Sequence, residues 1–98
     1  MADRQEKEQA QAWVAAEISR WRKVPYAELV AREGEALHVD MRDQRGKVWI
    51  RETQFFWDDR KRWSIRVTVD VWDPSRRISR SVAIDAFILA PDGSFVGE

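Results

Sequence analysis

The sequence predicts an α+β domain in which a long and a short N-terminal helix pack on one face of a four-stranded antiparallel meander sheet. Helix-forming residues dominate before Gly34, whereas β-branched and aromatic residues dominate after it. Turn-forming clusters then separate four runs of strand-like alternation, and short turns join antiparallel neighbours. The 98 residues fit one domain. We expect a helical part over 3–33, a sheet part over 35–90, and a turn or short fifth strand over 91–98.

The N-terminal segment has the spacing of an amphipathic helix. Asp3 is a predicted N-cap, and Glu6 is its capping-box partner. Pro25 ends this helix and begins a shorter one that runs to about Arg32, where Gly34 is a natural stop. The apolar face of the long helix consists of Ala10, Val14, Ile18 and Trp21.

The strand predictions rest on period-two alternation. The first strand places Leu37, Val39 and Met41 on one face, and the second runs from about Lys47 to Trp57. The third strand is the clearest, with apolar positions at Trp63, Ile65, Val67, Val69 and Val71. The fourth offers Ile78, Val82, Ile84, Ala86 and Ile88.

The register of the second strand depends on the length of the loop after it. With a two-residue loop at 59–60, Phe56 faces Trp63 and Ile50 faces Val69, on the helix side. The matching fourth-strand register pairs Val67 with Val82 and Ile65 with Ile84. A three-residue loop would instead pair Trp57 with Trp63 and Phe55 with Ile65. Because a one-residue slip turns a strand over, the two alternatives give opposite faces.

In the two-residue register, the outer face of the sheet is rich in tryptophan and arginine. This combination is typical of the core of a protein interface. The alternatives are a stacking platform for single-stranded nucleic acid, a face covered by segment 90–98, or cross-strand pairs that only stabilise the domain. The candidate interface residues are Trp49, Arg51, Phe55, Trp57, Arg66 and Trp72.

The same register places Glu52, Gln54 and Arg80 on the apolar face. A buried charge needs a partner, so these residues predict a polar pocket between helix and sheet. Glu52 would act there as an acid or base and Arg80 as an anion anchor. The alternatives are an ion pair at the open end of the sheet, or a β-bulge that turns Glu52 and Gln54 outward.

The turns at 43–46 and 73–76 are expected to meet at one end of the meander. Five basic residues there form a candidate anion-binding rim: Arg42, Arg45, Lys47, Arg76 and Arg77. Asp40, Asp43 and Asp73 lie nearby in the sequence and would offset the positive field. A solvated rim of balanced charge is therefore the competing interpretation.

Composition excludes several classes of function. Seventeen basic and seventeen acidic residues cancel, which argues against a dedicated nucleic-acid binder. The chain has no cysteine and one histidine, so it offers no thiolate or multi-histidine metal site. No catalytic motif, cofactor motif or membrane-spanning run is present. We expect a cytoplasmic, non-enzymatic interaction domain that binds a second copy or another protein through its outer sheet face. A small-ligand pocket is the alternative, and weak nucleic-acid binding is the third hypothesis.

Overall fold

The computed structural model describes residues 2–76 and 81–98 and has the predicted α+β architecture. The strands form one antiparallel sheet in the order β1-β2-β3-β4, and both helices pack against one face of it. We call this the helix face and the opposite one the outer face. The elements are α1 (Arg4–Arg22), α2 (Tyr26–Val30), β1 (Ala36–Arg42), β2 (Val48–Trp57), β3 (Ile65–Trp72) and β4 (Ser81–Leu89).

The helix boundaries follow the predicted signals. The Asp3 carboxylate accepts a hydrogen bond from the Glu6 backbone, and the Glu6 side chain accepts one from the Asp3 backbone, which completes a capping box. Pro25 is the N-cap of α2, and Gly34 has a φ of +85° just before β1. The predicted stripe of α1 is buried: Ala10, Val14, Ile18 and Trp21.

β3 provides the centre of the core. Its side chains at Ile65, Val67, Val69 and Val71 are fully buried, as the alternation predicts. Trp63, however, lies before the strand and is 61% exposed. Its backbone N–H donates to the Asp59 carboxylate, so this residue belongs to the loop rather than to the strand.

The predicted register of β2 is wrong. Trp57 pairs with Ile65 and Phe55 with Val67, because the loop spans residues 58–64 instead of two residues. The observed register differs from the predicted one by an odd number of residues. Every side chain of β2 therefore lies on the face opposite to the predicted one. The three-residue alternative gives the correct faces, although it pairs Phe55 two residues away from its actual partner.

The predicted register of β4 is also wrong. Val67 pairs with Phe87, and Ile65 pairs with Leu89. Phe87 and Leu89 are therefore in the core, whereas Ile84 lies on the outer face and is 58% exposed. The irregular pairing between Val71 and Trp72 changes the register by one residue, and this exchanges the two faces of β4. The predicted strand position of Ile78 lies outside the described residues.

The C-terminal segment folds back on the helix side of the domain. Phe95 forms a single bridge to Leu89 rather than a fifth strand, and its ring packs edge-on against Phe87. The Arg22 guanidinium lies 3.8 Å from the centre of the Phe95 ring and forms two hydrogen bonds with the Glu98 carboxylate. These contacts place Phe95 and Glu98 beside the C-terminal end of α1, while the Val96 N–H donates to the Ile88 carbonyl at the edge of β4.

Candidate functional site

The candidate site is the outer face of the sheet. The register determines its members, because cross-strand partners share a face and the buried residues of β3 mark the helix side. Both helices lie on the other side, and the Phe95 ring packs there against Phe87. The outer-face side chains of the central part of the sheet are His38, Asp40, Ile50, Glu52, Gln54, Phe56, Arg66, Thr68, Asp70, Trp72, Ile84, Ala86 and Ile88.

A row of titratable side chains crosses the middle of this face. His38 pairs with Glu52, and Glu52 pairs with Asp70 on the next strand. The Nε2 of His38 lies 2.5 Å from Oε2 of Glu52. The Trp72 ring packs edge-on against the His38 ring, with 6.1 Å between the centroids. The Glu52 side chain is consequently only 19% exposed.

Among the titratable side chains of this row, Asp70 is the one whose hydrogen-bonding capacity is least satisfied. Its Oδ1 is buried and has no hydrogen-bond partner among the described residues. Burial raises the pKa of the Asp70 carboxyl, a hydrogen bond from Ser81 opposes the shift, and the neighbouring Glu52 charge adds to it. Burial thus disfavours the ionised form of Asp70 in the folded chain, and a further hydrogen bond to this half-buried carboxylate would stabilise that form.

Apolar side chains flank the titratable row. Ile84 is 58% exposed, Phe56 is 39% exposed, and Trp72 is partly exposed. Arg66 lies between Phe56 and Ile88, and its guanidinium bonds the Asp58 carboxylate through Nε at 2.9 Å and Nη2 at 2.8 Å. The face thus combines aromatic, aliphatic and arginine side chains with partly desolvated carboxylates.

Of the predicted interface residues, Arg66 and Trp72 lie on the outer face and the other four do not. The prediction placed Trp49, Arg51, Phe55 and Trp57 there, and the register of β2 puts all four on the helix face instead. Trp49 and Phe55 are each 1% exposed and belong to the core. The Trp49 indole donates to the Asp43 carboxylate, so its polar atom is also satisfied inside the domain.

The space between helix and sheet does not contain the two residues of the predicted pocket that the structure describes. Glu52 and Gln54 lie on the outer face, and Arg80 lies outside the described residues. The polar group that does lie between α1 and the sheet is Glu17, which is 5% exposed. Its Oε2 accepts from the Thr53 hydroxyl at 3.2 Å and lies 3.4 Å from Nη2 of Arg51.

The sequence contained a signal for Glu17. It sits three residues after Val14 and four before Trp21, within the apolar stripe of α1. A charged residue at such a position needs a partner on the opposing element. On β2, Arg51 and Thr53 supply that partner, which makes this cluster a part of the packing between α1 and the sheet.

The basic residues of the predicted rim do meet at one end of the sheet, and the described ones are each engaged by an oxygen of the chain. Lys47 Nζ lies 2.9 Å from both Glu6 and Asp73. The remaining contacts are Arg42 to the Gly46 carbonyl, Arg45 to Gln5 and Asp3, and Arg76 to Asp73. Arg77 lies outside the described residues. The rim is therefore a balanced ionic network that joins the turns to the start of α1.

In the described part of the chain, no group of His, Asp and Glu is arranged to hold a metal ion. Neither α1 nor α2 has the length and apolar character needed to cross a membrane. No protein-family model, curated protein or solved structure matches the chain.

Proposed function

We propose that the chain is a small association domain, not an enzyme, and that it forms homodimers through the outer face of its sheet. One observation carries the proposal. The uncovered face of the sheet presents Phe56, Trp72 and Ile84, and Ile84 lies directly opposite a carboxylate whose buried oxygen has no described partner. Sheets with one solvated face usually present polar side chains there, so several exposed large apolar side chains on this face favour an interface.

The size of the face suits a small dimer. Four strands at a spacing of about 4.8 Å and a length of about eight residues give roughly 500 Å² of projected area. Side-chain relief increases the accessible area toward the ~800 Å² per partner of a standard interface. The formal net charge of zero adds no overall repulsion between two copies.

The composition of the face supports protein association more than other partners. Aromatic residues and arginine are enriched in interface cores, and Trp72 and Arg66 lie here. A nucleic-acid platform would need several stacked rings above a positive surface. Trp49 and Phe55 are instead buried, and the described rim cations are paired with oxygens of the chain.

The test is light scattering across a concentration series with two matched variants. We expect the wild-type mass to rise with concentration from 11.6 kDa toward twice that value. Ile84→Arg introduces a charge on the outer face and should keep the chain monomeric. Ala16→Arg is the control, because Ala16 is exposed on α1, which packs against the other face of the sheet. A wild-type mass that stays at the monomer value, or an Ile84→Arg variant that associates normally, overturns the proposal.

A further inference from the structure

We infer that two copies pack outer face to outer face about a two-fold axis over Thr68, so that Arg66 of each copy contacts Asp70 of the partner subunit. This inference rests on the proposed function and adds the geometry of the complex. A two-fold interface uses the same surface on both copies, so its charges must complement each other after rotation.

β3 carries such a pattern. Arg66 and Asp70 lie on the outer face, two positions on either side of Thr68. An axis that lies between the two sheets and crosses the strands at Thr68 exchanges these two positions. Stacked sheets keep their strand directions within about 30°, so residues about 7 Å from the axis still meet their counterparts.

The outer-face residues that lie on the axis, in the row of Thr68, allow the two sheets to approach each other closely. Thr68 pairs with Gln54 on one side and Ala86 on the other, and Gln54 pairs in turn with Ala36. The four residues are uncharged, so each can lie close to its own copy. An axis over the adjacent row would place Glu52 and Asp70 against themselves, and one over the Arg66 row would oppose two guanidinium groups. Like charges in direct contact disfavour both alternatives.

β4 supports the same axis. Ile84 and Ile88 lie two positions on either side of Ala86, so the rotation places Ile84 of one copy against Ile88 of the partner subunit. Ile84 is the more exposed of the two, and this contact would remove its side chain from water. On β3 and β4, an ionic pair and an apolar pair therefore form about the same axis.

The atoms of the ionic pair are available for the contact. The described contacts of Arg66 use Nε and Nη2, both with Asp58, which leaves Nη1 as a further donor. The buried Oδ1 of Asp70 has no described hydrogen-bond partner. That oxygen is itself shielded from solvent, so a guanidinium of the partner subunit would reach the exposed part of this half-buried carboxylate, where a charge-assisted bond would stabilise the ionised form.

The test is a charge exchange followed by light scattering and titration. Arg66→Asp presents two acidic groups at positions 66 and 70, and Asp70→Arg presents two basic groups. We expect each variant alone to dimerise at least tenfold more weakly than wild type. An equimolar mixture of the two should form a heterodimer, and the double variant Arg66→Asp/Asp70→Arg should recover the homodimer. Arg45→Asp reverses a charge that is paired with Asp3 at the end of the domain and should leave dimerisation unchanged.

The outcomes separate this geometry from the proposed function. Dimerisation of both single variants at the wild-type level overturns the contact between positions 66 and 70 but leaves outer-face association intact. Loss in the single variants without recovery in the mixture and in the double variant also overturns the contact. A wild-type chain that remains monomeric overturns the proposed function itself.

Discussion

Asp70 and Asp73 are three residues apart at the end of β3, yet they lie on opposite faces of the sheet in opposite electrostatic environments. Asp73 is 2% exposed. Although burial raises its pKa, hydrogen bonds from Ser75 and Lys47 lower it well below the ordinary range. For Asp70, burial dominates and its pKa is raised. The helix face therefore stabilises its buried charge, and the outer face does not.

The same contrast extends to the neighbouring groups. On the helix face, Glu17 is bonded by Thr53 and paired with Arg51, and Lys47 is held between Glu6 and Asp73. The outer face presents exposed apolar side chains and the Asp70 carboxylate, whose buried Oδ1 has no described partner; on the helix face the same holds for Trp21 Nε1 and Arg51 Nε. The outer face differs because its unpartnered atom belongs to a carboxylate whose pKa is raised, so an external partner would gain most there.

The largest expected difference between the faces concerns two adjacent phenylalanines. Phe55 is 1% exposed on the helix face, and Phe56 is 39% exposed on the outer face. Phe55→Ala should lower the free energy of unfolding by about 3–5 kcal/mol because it leaves a cavity in the core. Phe56→Ala should cost about 1 kcal/mol or less. Urea denaturation of dilute protein measures both. Equal losses, or a larger loss for Phe56→Ala, would contradict the register of β2.

A smaller difference in the free energy of unfolding is expected between alanine variants of two aspartates that have the same local hydrogen bonds. Asp73 and Asp92 each accept bonds from the backbone and hydroxyl of the serine two residues later, at 2.9 and 2.6 Å. Only Asp73 is buried against Lys47. Asp73→Ala should lower the free energy of unfolding by about 2 kcal/mol, because Lys47 keeps its contact with Glu6 but loses its buried partner Asp73. Asp92→Ala should cost much less.

The pH dependence provides a check on this pair. The folded-state pKa of Asp73 lies below its unfolded value, so the ionised carboxylate stabilises the fold at neutral pH. That contribution is fully present above the unfolded pKa and is lost as the pH falls below about 4. The stability difference between wild type and Asp73→Ala should therefore shrink in acid. A difference that grows in acid would show that Asp73 is not held as an ionised group.

The smallest expected effect concerns Asp70, whose charge should destabilise the fold, whereas the charge of Asp73 stabilises it. The raised pKa of Asp70 means that the folded chain binds this proton more tightly than the unfolded chain does, so stability decreases as the pH rises through that range. In protein diluted until it is monomeric, Asp70→Asn should raise the free energy of unfolding at pH 7, by less than the loss expected for Asp73→Ala. The gain should vanish as the pH falls below the folded-state pKa.

Asp92→Asn is the control for this prediction. The bond from the Ser94 hydroxyl lowers the pKa of Asp92, so removing its charge should lower stability at neutral pH. Thermal melts of both variants at several pH values distinguish the two signs. Destabilisation by Asp70→Asn at pH 7 would mean that this carboxylate is satisfied within the chain.

The two helices and the strand β3 could be predicted because their signals are local. The capping box of α1 needs only Asp3 and Glu6, and the buried side of β3 is an unbroken run of Ile and Val at every second position. β2 lacks such a signal. Its two alternating sets each contain three large apolar residues, one with Val48, Ile50 and Phe56 and the other with Trp49, Phe55 and Trp57. Local pattern therefore could not decide which set is buried.

The candidate site could be predicted only in part for the same reason. Trp72 and Arg66 were placed correctly on the outer face because they belong to β3. Glu52, Phe56 and Ile84 were placed on the wrong face because their strands were turned over. The row of His38, Glu52 and Asp70 exists only once three strands are in register, and no spacing in the sequence marks it.

The sequence by itself determined the fold class, the helix boundaries and the buried face of β3, because capping and periodicity act over a few residues. Tertiary structure alone decided which face of β2 and β4 is buried. The loop over 58–64 and the irregular pairing after Val71 set the registers of these strands. Because side chains alternate with a period of two, each odd shift in register exchanged the core of the domain with its exposed surface.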